Sequence, residues 1–329
     1  MGIAVAGCGS SSTSTGSGSA ASSSAPASAS ASATPASGTA QVAYAASLAF
    51  LNEKIVGPAF AAASGLKYSG TAGPSDGLES EIASKELSPD AFEAVGGDNI
   101  TPLFPKFTSW YVQYATTSIV LAYNPKSKYA SQLKAIAQGT KPITGLFTLL
   151  QTPGFKLGRT DPNTDPQGRA FIYMLELAQL KYHLPADTVT KIIGSPIASA
   201  KSSQIFDEAT LESTLQSGQL DASSAYLSQA KQLHLSYITL PSAINLGDSA
   251  DATAYHQASI TITGNVTKHG SPLTVDITVI NNSATGAKFV AYVLSPAGLA
   301  LHKQGGYTLL KPALTGTGAP ASVTSELGS

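Results

Sequence analysis

Several side chains in this sequence could hold a small anion or attack an ester, and they sit beside glycine- and proline-rich turns. Ser47 stands where a small, apolar strand candidate gives way to a helical segment, and Ser75 follows Gly70-Thr71-Ala72-Gly73-Pro74 and precedes another helix. In both places a hydroxyl and the free backbone N–H groups of a helix start point the same way, an arrangement that takes a dehydrated oxyanion without any positive side chain. Arg159 and Arg169, the only arginines, flank a loop over 159–167. A guanidinium offers a two-pronged donor to an oxyanion, although a residue so placed more often pairs with a nearby carboxylate such as Asp161.

Two rival chemistries share these residues. Gly73-Pro74-Ser75-Asp76-Gly77 has the Gly-x-Ser-x-Gly form of a hydrolase nucleophile turn, with a strand expected before it and a helix after. The five histidines, His183, His234, His256, His269 and His302, are scattered without a second motif, so a serine hydrolase using Ser75 is kept only as an alternative to binding. Asp161-x-Asn163-x-Asp165 opens like a calcium loop, but Pro166 occupies the position that needs glycine and Ile172 the position that needs a bidentate glutamate. A calcium site of that kind is excluded, and no metal or cofactor is expected.

The elements that must position these groups begin after a tail of different composition. Positions 9–39 are nearly all Ser, Ala, Gly, Thr and Pro, which bury too little apolar surface to offset chain entropy and read as a disordered tether. The globular part that follows, about 290 residues, is long enough for two lobes. A net charge of −1 with no basic run removes the footprint of a nucleic-acid binder. No apolar stretch reaches the roughly eighteen residues of a membrane span. Cys8 is the only cysteine, so an intramolecular disulfide or a Cys-based metal cluster cannot form.

Strand and helix signals alternate along the globular part, which predicts an α/β fold. A strand is expected over 41–48, then helical segments over 49–64 interrupted at Gly57-Pro58, a short strand over 66–69, a loop over 70–75 and a helix over 77–87. Residues 110–116 and 118–123 are β-rich, and a helix is expected over 127–138 with Gly139 as its stop. Next come a strand at 155–158, a long helix over 168–182, and a helix over 207–217 capped by Asp207. A strand at 220–226, a strand at 274–280 and helices over 284–294 and 296–304 complete the series.

Taken together, several segments resemble the molybdate/tungstate-binding proteins of ABC importers, of the archaeal type. They are Trp110-Tyr111-Val112-Gln113-Tyr114-Ala115-Thr116 with Ile119-Val120-Leu121-Ala122-Tyr123, then Gly158-Arg159-Thr160-Asp161-Pro162-Asn163-Thr164-Asp165-Pro166-Gln167-Gly168, then Leu215-Gln216-Ser217-Gly218-Gln219-Leu220-Asp221, and 289–305 with Leu294-Ser295-Pro296-Ala297-Gly298. The resemblance implies a two-lobed periplasmic binding protein-like fold of type II, with two crossing strands as hinge and an oxyanion held between the lobes. The crossings are expected near 119–123 and 275–280. That gives one lobe from 41–120 plus 281–329 and the other from 121–280. The implied partners are a molybdate- or tungstate-type oxyanion and an ABC permease and ATPase complex, with sulfate or another anion as the alternative cargo.

The same resemblance assigns roles. Ser47 and Ser75 match serines that donate to the anion, and Tyr226 matches a tyrosine at the end of a second-lobe strand. Asp165 matches a carboxylate that relatives use to expand the metal's coordination, together with a glutamate one residue before the tyrosine. This sequence has Ala225 there, which implies a tetrahedral anion held by hydrogen bonds. Arg159, Thr160 and Glu208 are secondary candidates. Val5-Ala6-Gly7-Cys8 resembles a bacterial lipobox, which implies a lipid on Cys8 and attachment to the outer face of the cytoplasmic membrane, with 1–8 as a signal remnant and 9–40 as tether. A secretory signal needs an apolar run of roughly seven to fifteen residues. Only Met1 to Gly7 precede Cys8, so a start further upstream is expected.

Overall fold

The computed structural model describes residues 38–194 and 202–328, and Gly2. Cys8 and the 9–37 stretch of the expected tether lie outside the described residues.

Two sheets carry the fold. The larger has six strands in the order β12-β4-β11-β3-β1-β2, built from β1 (Thr39–Ala45), β2 (Lys67–Gly73), β3 (Ala91–Val95), β4 (Trp110–Thr116), β11 (Thr274–Val279) and β12 (Thr308–Gly316). The smaller has the order β6-β7-β5-β8, from β5 (Ile119–Tyr123), β6 (Leu157–Gly158), β7 (Ala222–Tyr226) and β8 (Ser236–Ile238), and a separate ribbon pairs β9 (Ser259–Ile262) with β10 (Val266–His269). β1, β3 and β11 are almost wholly buried, as strands covered by helices on both faces must be. On one side the helix Ser75–Ser84 (α1) sets Leu78 and Ile82 against Phe92. On the other, Phe60 meets Phe289 edge to face with centroids 5.2 Å apart. Each such aromatic or aliphatic side chain stabilises the lobe by about 1.5–3 kcal/mol relative to exposure.

Sheet membership places the crossings a few residues from where the sequence puts them. β5 lies wholly in the small sheet and β11 wholly in the large one, so the chain passes between lobes at 117–118 and 270–273. These passages bond to each other: the Thr117 N–H donates to the Leu273 carbonyl at 3.0 Å, and Thr116 Oγ1 to the same carbonyl at 2.8 Å. Segments that carry the hinge are short and irregular because neither sheet's ladder extends across the gap.

Three local differences have clear causes. The helical path from Ala49 to Ser64 is not interrupted at Gly57-Pro58; a π-type turn over Asn52–Val56 precedes the proline and absorbs its missing N–H. The stretch 70–73, expected as loop, is the end of β2, where Gly70 lies against the Tyr44 hydroxyl and Glu53 carboxylate and a Cβ would collide with both. Ser127 caps a turn, with its Oγ accepting from the Tyr129 N–H at 3.0 Å, and the helix itself spans Ala130–Ala137.

Candidate functional site

The helix Pro166–Lys181 (α2) begins where the Asp-Pro-Asn-Thr-Asp-Pro segment ends. Asp165 is its N-cap, accepting the Gln167 N–H at 2.8 Å, and Pro166 takes the first helical position, where no N–H is needed. Gly168 leaves no side chain between the helix and the Thr160–Pro162 backbone, so the loop folds directly onto the first turn. Arg169, one turn on from Asp165, donates to the Pro162 carbonyl at 3.1 Å and pairs with Asp76 of the other lobe at 2.7 Å. That pair sets the start of α2 facing the start of α1, so Asp165 and Ser75 come to the same cleft. Ser75 is buried and its Oγ accepts the Val95 N–H at 3.3 Å, which leaves the hydroxyl hydrogen to donate elsewhere.

Ser47 is buried in the tight turn Ala46–Leu48 just past β1. This turn packs against the helix Glu208–Gln216 (α3) of the opposite lobe, and the Ser47 carbonyl accepts from the Tyr307 hydroxyl at 3.4 Å. α3 starts at Glu208 because Asp207 caps it, accepting the Thr210 N–H at 2.9 Å. Glu208 is thereby brought beside Asp165. Burial first, then the charge of Asp165, pushes the Glu208 carboxyl well above its ordinary range, and burial likewise raises Asp165. Glu208 accepts from Gln167 Nε2 at 3.1 Å and from Gln229 Nε2 at 3.0 Å, and Ser224 donates to Gln167 Oε1 at 2.9 Å.

Tyr226 ends β7 with its hydroxyl fully buried and without a hydrogen-bond partner. Burial, followed by Asp165 and Glu208, raises its pKa, so the phenol stays protonated as a donor. Thr160 is buried as well, with its hydroxyl set beside the Asp165 carboxyl. β7 alternates, so Ser224 faces α2 with Tyr226 while Ala225 packs with Leu211 and Leu215 of α3 on the opposite face.

The structure therefore brings together Thr160, Asp165, Glu208 and Tyr226, and carries Ser47 and Ser75 on elements of the facing lobe that pack against α3 and pair with α2. Arg159 stands apart. It is buried with both terminal nitrogens unpartnered, its Nε lies 3.5 Å from Gln204 Oε1, burial lowers its pKa, and the charge that supports it is that of Asp161. The guanidinium felt by Asp165 and Tyr226 is that of Arg169. Sequence reasoning missed Gln167, Gln229 and Tyr307. Gln167 follows the capping motif directly, but nothing local marks a glutamine as the link between two carboxylates. Among the described residues the Ser75 hydroxyl is hydrogen-bonded to the Val95 N–H, while His302 bonds Tyr114 and the Gly298 carbonyl and His269 the His256 carbonyl.

A two-sheet α/β fold with a polar cleft between the sheets defines the class of binding proteins that close two lobes on a small solute. The chain matches the family described as bacterial extracellular solute-binding protein over residues 40–308, and it belongs to that family. It is 31% identical over 241 residues to the molybdate/tungstate-binding protein WtpA of Thermococcus kodakarensis, covering 67% of this chain and 66% of that protein. The same protein of Pyrococcus abyssi is also 31% identical, with 67% and 68% covered. The chain thus aligns with about two thirds of the length of these relatives. Among solved structures, the Azotobacter vinelandii periplasmic molybdate-binding protein has a similar fold, with a TM-score of 0.54 at 18% identity, covering 82% of this chain and 99% of that one. The family is extracellular, and these relatives are named as binders.

Proposed function

We propose that this protein captures a tetrahedral oxyanion, molybdate or tungstate, between its two lobes and delivers it to an ABC permease and ATPase complex. The observation that carries this reading is the Tyr226 hydroxyl, a buried donor with no acceptor among the described residues, set beside two carboxyls whose pKa values burial raises, that of Asp165 to about 6. A buried unmatched donor costs free energy, and it is retained where a ligand supplies the acceptor. Ser47, Ser75 and Tyr226 donate from neutral hydroxyls. Asp165 and Glu208, while protonated, donate as well, and a dianion entering the cleft favours that protonated state. The names of the WtpA relatives support the cargo. Sulfate is the alternative.

Delivery follows from a lipid on Cys8 at the outer face of the cytoplasmic membrane, with the Ser/Ala/Gly-rich stretch as tether. Calorimetry against molybdate, tungstate and sulfate tests the cargo: micromolar or tighter binding of the first two is expected, and heat from sulfate alone would overturn it. Cys8→Ala, expressed with an upstream signal, should move the protein from the membrane to the soluble fraction.

A further inference from the structure

Outside the proposed anion-binding cluster, three ionic contacts among the described residues join the lobes. Arg169 Nη2 lies 2.7 Å from Asp76 Oδ2, Lys268 Nζ lies 3.9 Å from Asp76 Oδ1, and Lys268 Nζ lies 3.2 Å from Asp98 Oδ2. Asp76 is in the first turn of α1, and Asp98 is in the Gly97–Asn99 turn just past β3, both in the large-sheet lobe. Arg169 is in the first turn of α2. Lys268 lies on β10, in the ribbon whose Ser259 N–H donates to Glu176 Oε2 of α2 at 2.9 Å and whose Thr263 N–H donates to Asn163 at 3.0 Å. Of these four residues the two cations thus belong to one lobe and the two carboxylates to the other. Covalent connection runs only through 117–118 and 270–273, so these contacts exist only while the two lobes face each other.

We propose that Arg169, Asp76, Lys268 and Asp98 form an electrostatic latch that favours the closed arrangement of the lobes and thereby positions Ser75 and Asp165 for the anion. The inference rests on the oxyanion-binding reading for its purpose, though the latch acts without ligand. Its parts are unequal. The Arg169 side chain is 4% exposed and that of Asp76 18%, so this pair is screened little by salt, and losing one partner leaves a buried charge unmatched. The Lys268 and Asp98 side chains are 22% and 56% exposed, and a pair of that kind contributes little by itself. A contact made only in the closed state multiplies the population of that state, and with it the apparent affinity.

The test uses the full chain carrying Asp76→Asn, which keeps shape and removes charge, and separately Lys268→Ala. Asp76→Asn should raise the Kd for tungstate about 10- to 100-fold, chiefly through faster dissociation, and Lys268→Ala about twofold. Small-angle scattering of the ligand-free protein should show Asp76→Asn more expanded than the unsubstituted chain, with saturating tungstate restoring the compact state. A change limited to melting temperature, with scattering and dissociation rate unmoved, would overturn the latch. If Asp76→Asn does not fold, Arg169→Gln, which removes the same buried pair from the other lobe, carries the same ligand-free scattering comparison: expansion supports the latch and none refutes it. If no oxyanion binds the unsubstituted protein, the cargo reading fails, while the ligand-free scattering still decides the latch.

Discussion

Replacing Tyr226 by phenylalanine should move stability and affinity in opposite directions. The ring is buried in the core and keeps its packing in the variant, so the change removes only the hydroxyl. In the ligand-free protein that hydroxyl has no partner, and a buried unpaired group costs about 1–3 kcal/mol. Removing it should stabilise the free protein by about 1 kcal/mol, a rise in Tm of about 2 °C for a fold of this size. With the anion bound the same hydroxyl donates to a charged acceptor, worth about 1.5–3 kcal/mol, so Kd should rise about 10- to 150-fold. Thermal melts without ligand and calorimetry with tungstate read the two effects on one sample. A tyrosine that serves only the core would give an unchanged Kd, and that result would refute the assignment.

Other expectations follow from the carboxyls and the backbone. Because the Asp165 and Glu208 pKa values are raised, the donor form is lost as pH rises through them, so Kd should increase with pH by up to about tenfold per unit; calorimetry should find this slope reduced in Glu208→Gln, and an unchanged slope would exclude Glu208. X-ray absorption on the tungstate complex should show four oxygen neighbours, whereas six, two of them from Asp165 and Glu208, would mean that these carboxylates bind the metal directly. Asp276, buried in β11, is pushed up to about 7 by burial. Its folded-state pKa exceeds the unfolded value, so its contribution is full below about 4 and lost as pH rises to about 7. Chemical denaturation across that window should give a flatter profile for Asp276→Asn, and an unchanged profile would count against the shift. Gly70→Ala should destabilise the large lobe by about 1–3 kcal/mol in urea unfolding, because its Cβ meets the Tyr44–Glu53 pair; a neutral result would show that this pair can yield.

The sequence determined the alternation of strands and helices, the cap at Asp207, and the presence of a hydroxyl at each element end that reaches the cleft, because these depend on residues a few positions apart. It also carried the resemblance on which the proposed cargo rests. It did not determine which candidates meet. Glu208 lies 43 positions from Asp165, and only the packing of α3 against the Ser47 turn and of α2 against β7 makes them neighbours. Arg159 and Arg169 flank one loop, yet the strand-to-helix reversal sends the first toward Gln204 and the second across to Asp76. Ala225 reads in the sequence as a missing carboxylate. The pleat of β7 turns it toward Leu211 and Leu215, while Glu208, from a different element, brings a second carboxyl to Asp165. Charge, burial and unmatched donors are properties of the assembled cleft, since desolvation depends on everything that surrounds a group and not on its neighbours in the chain.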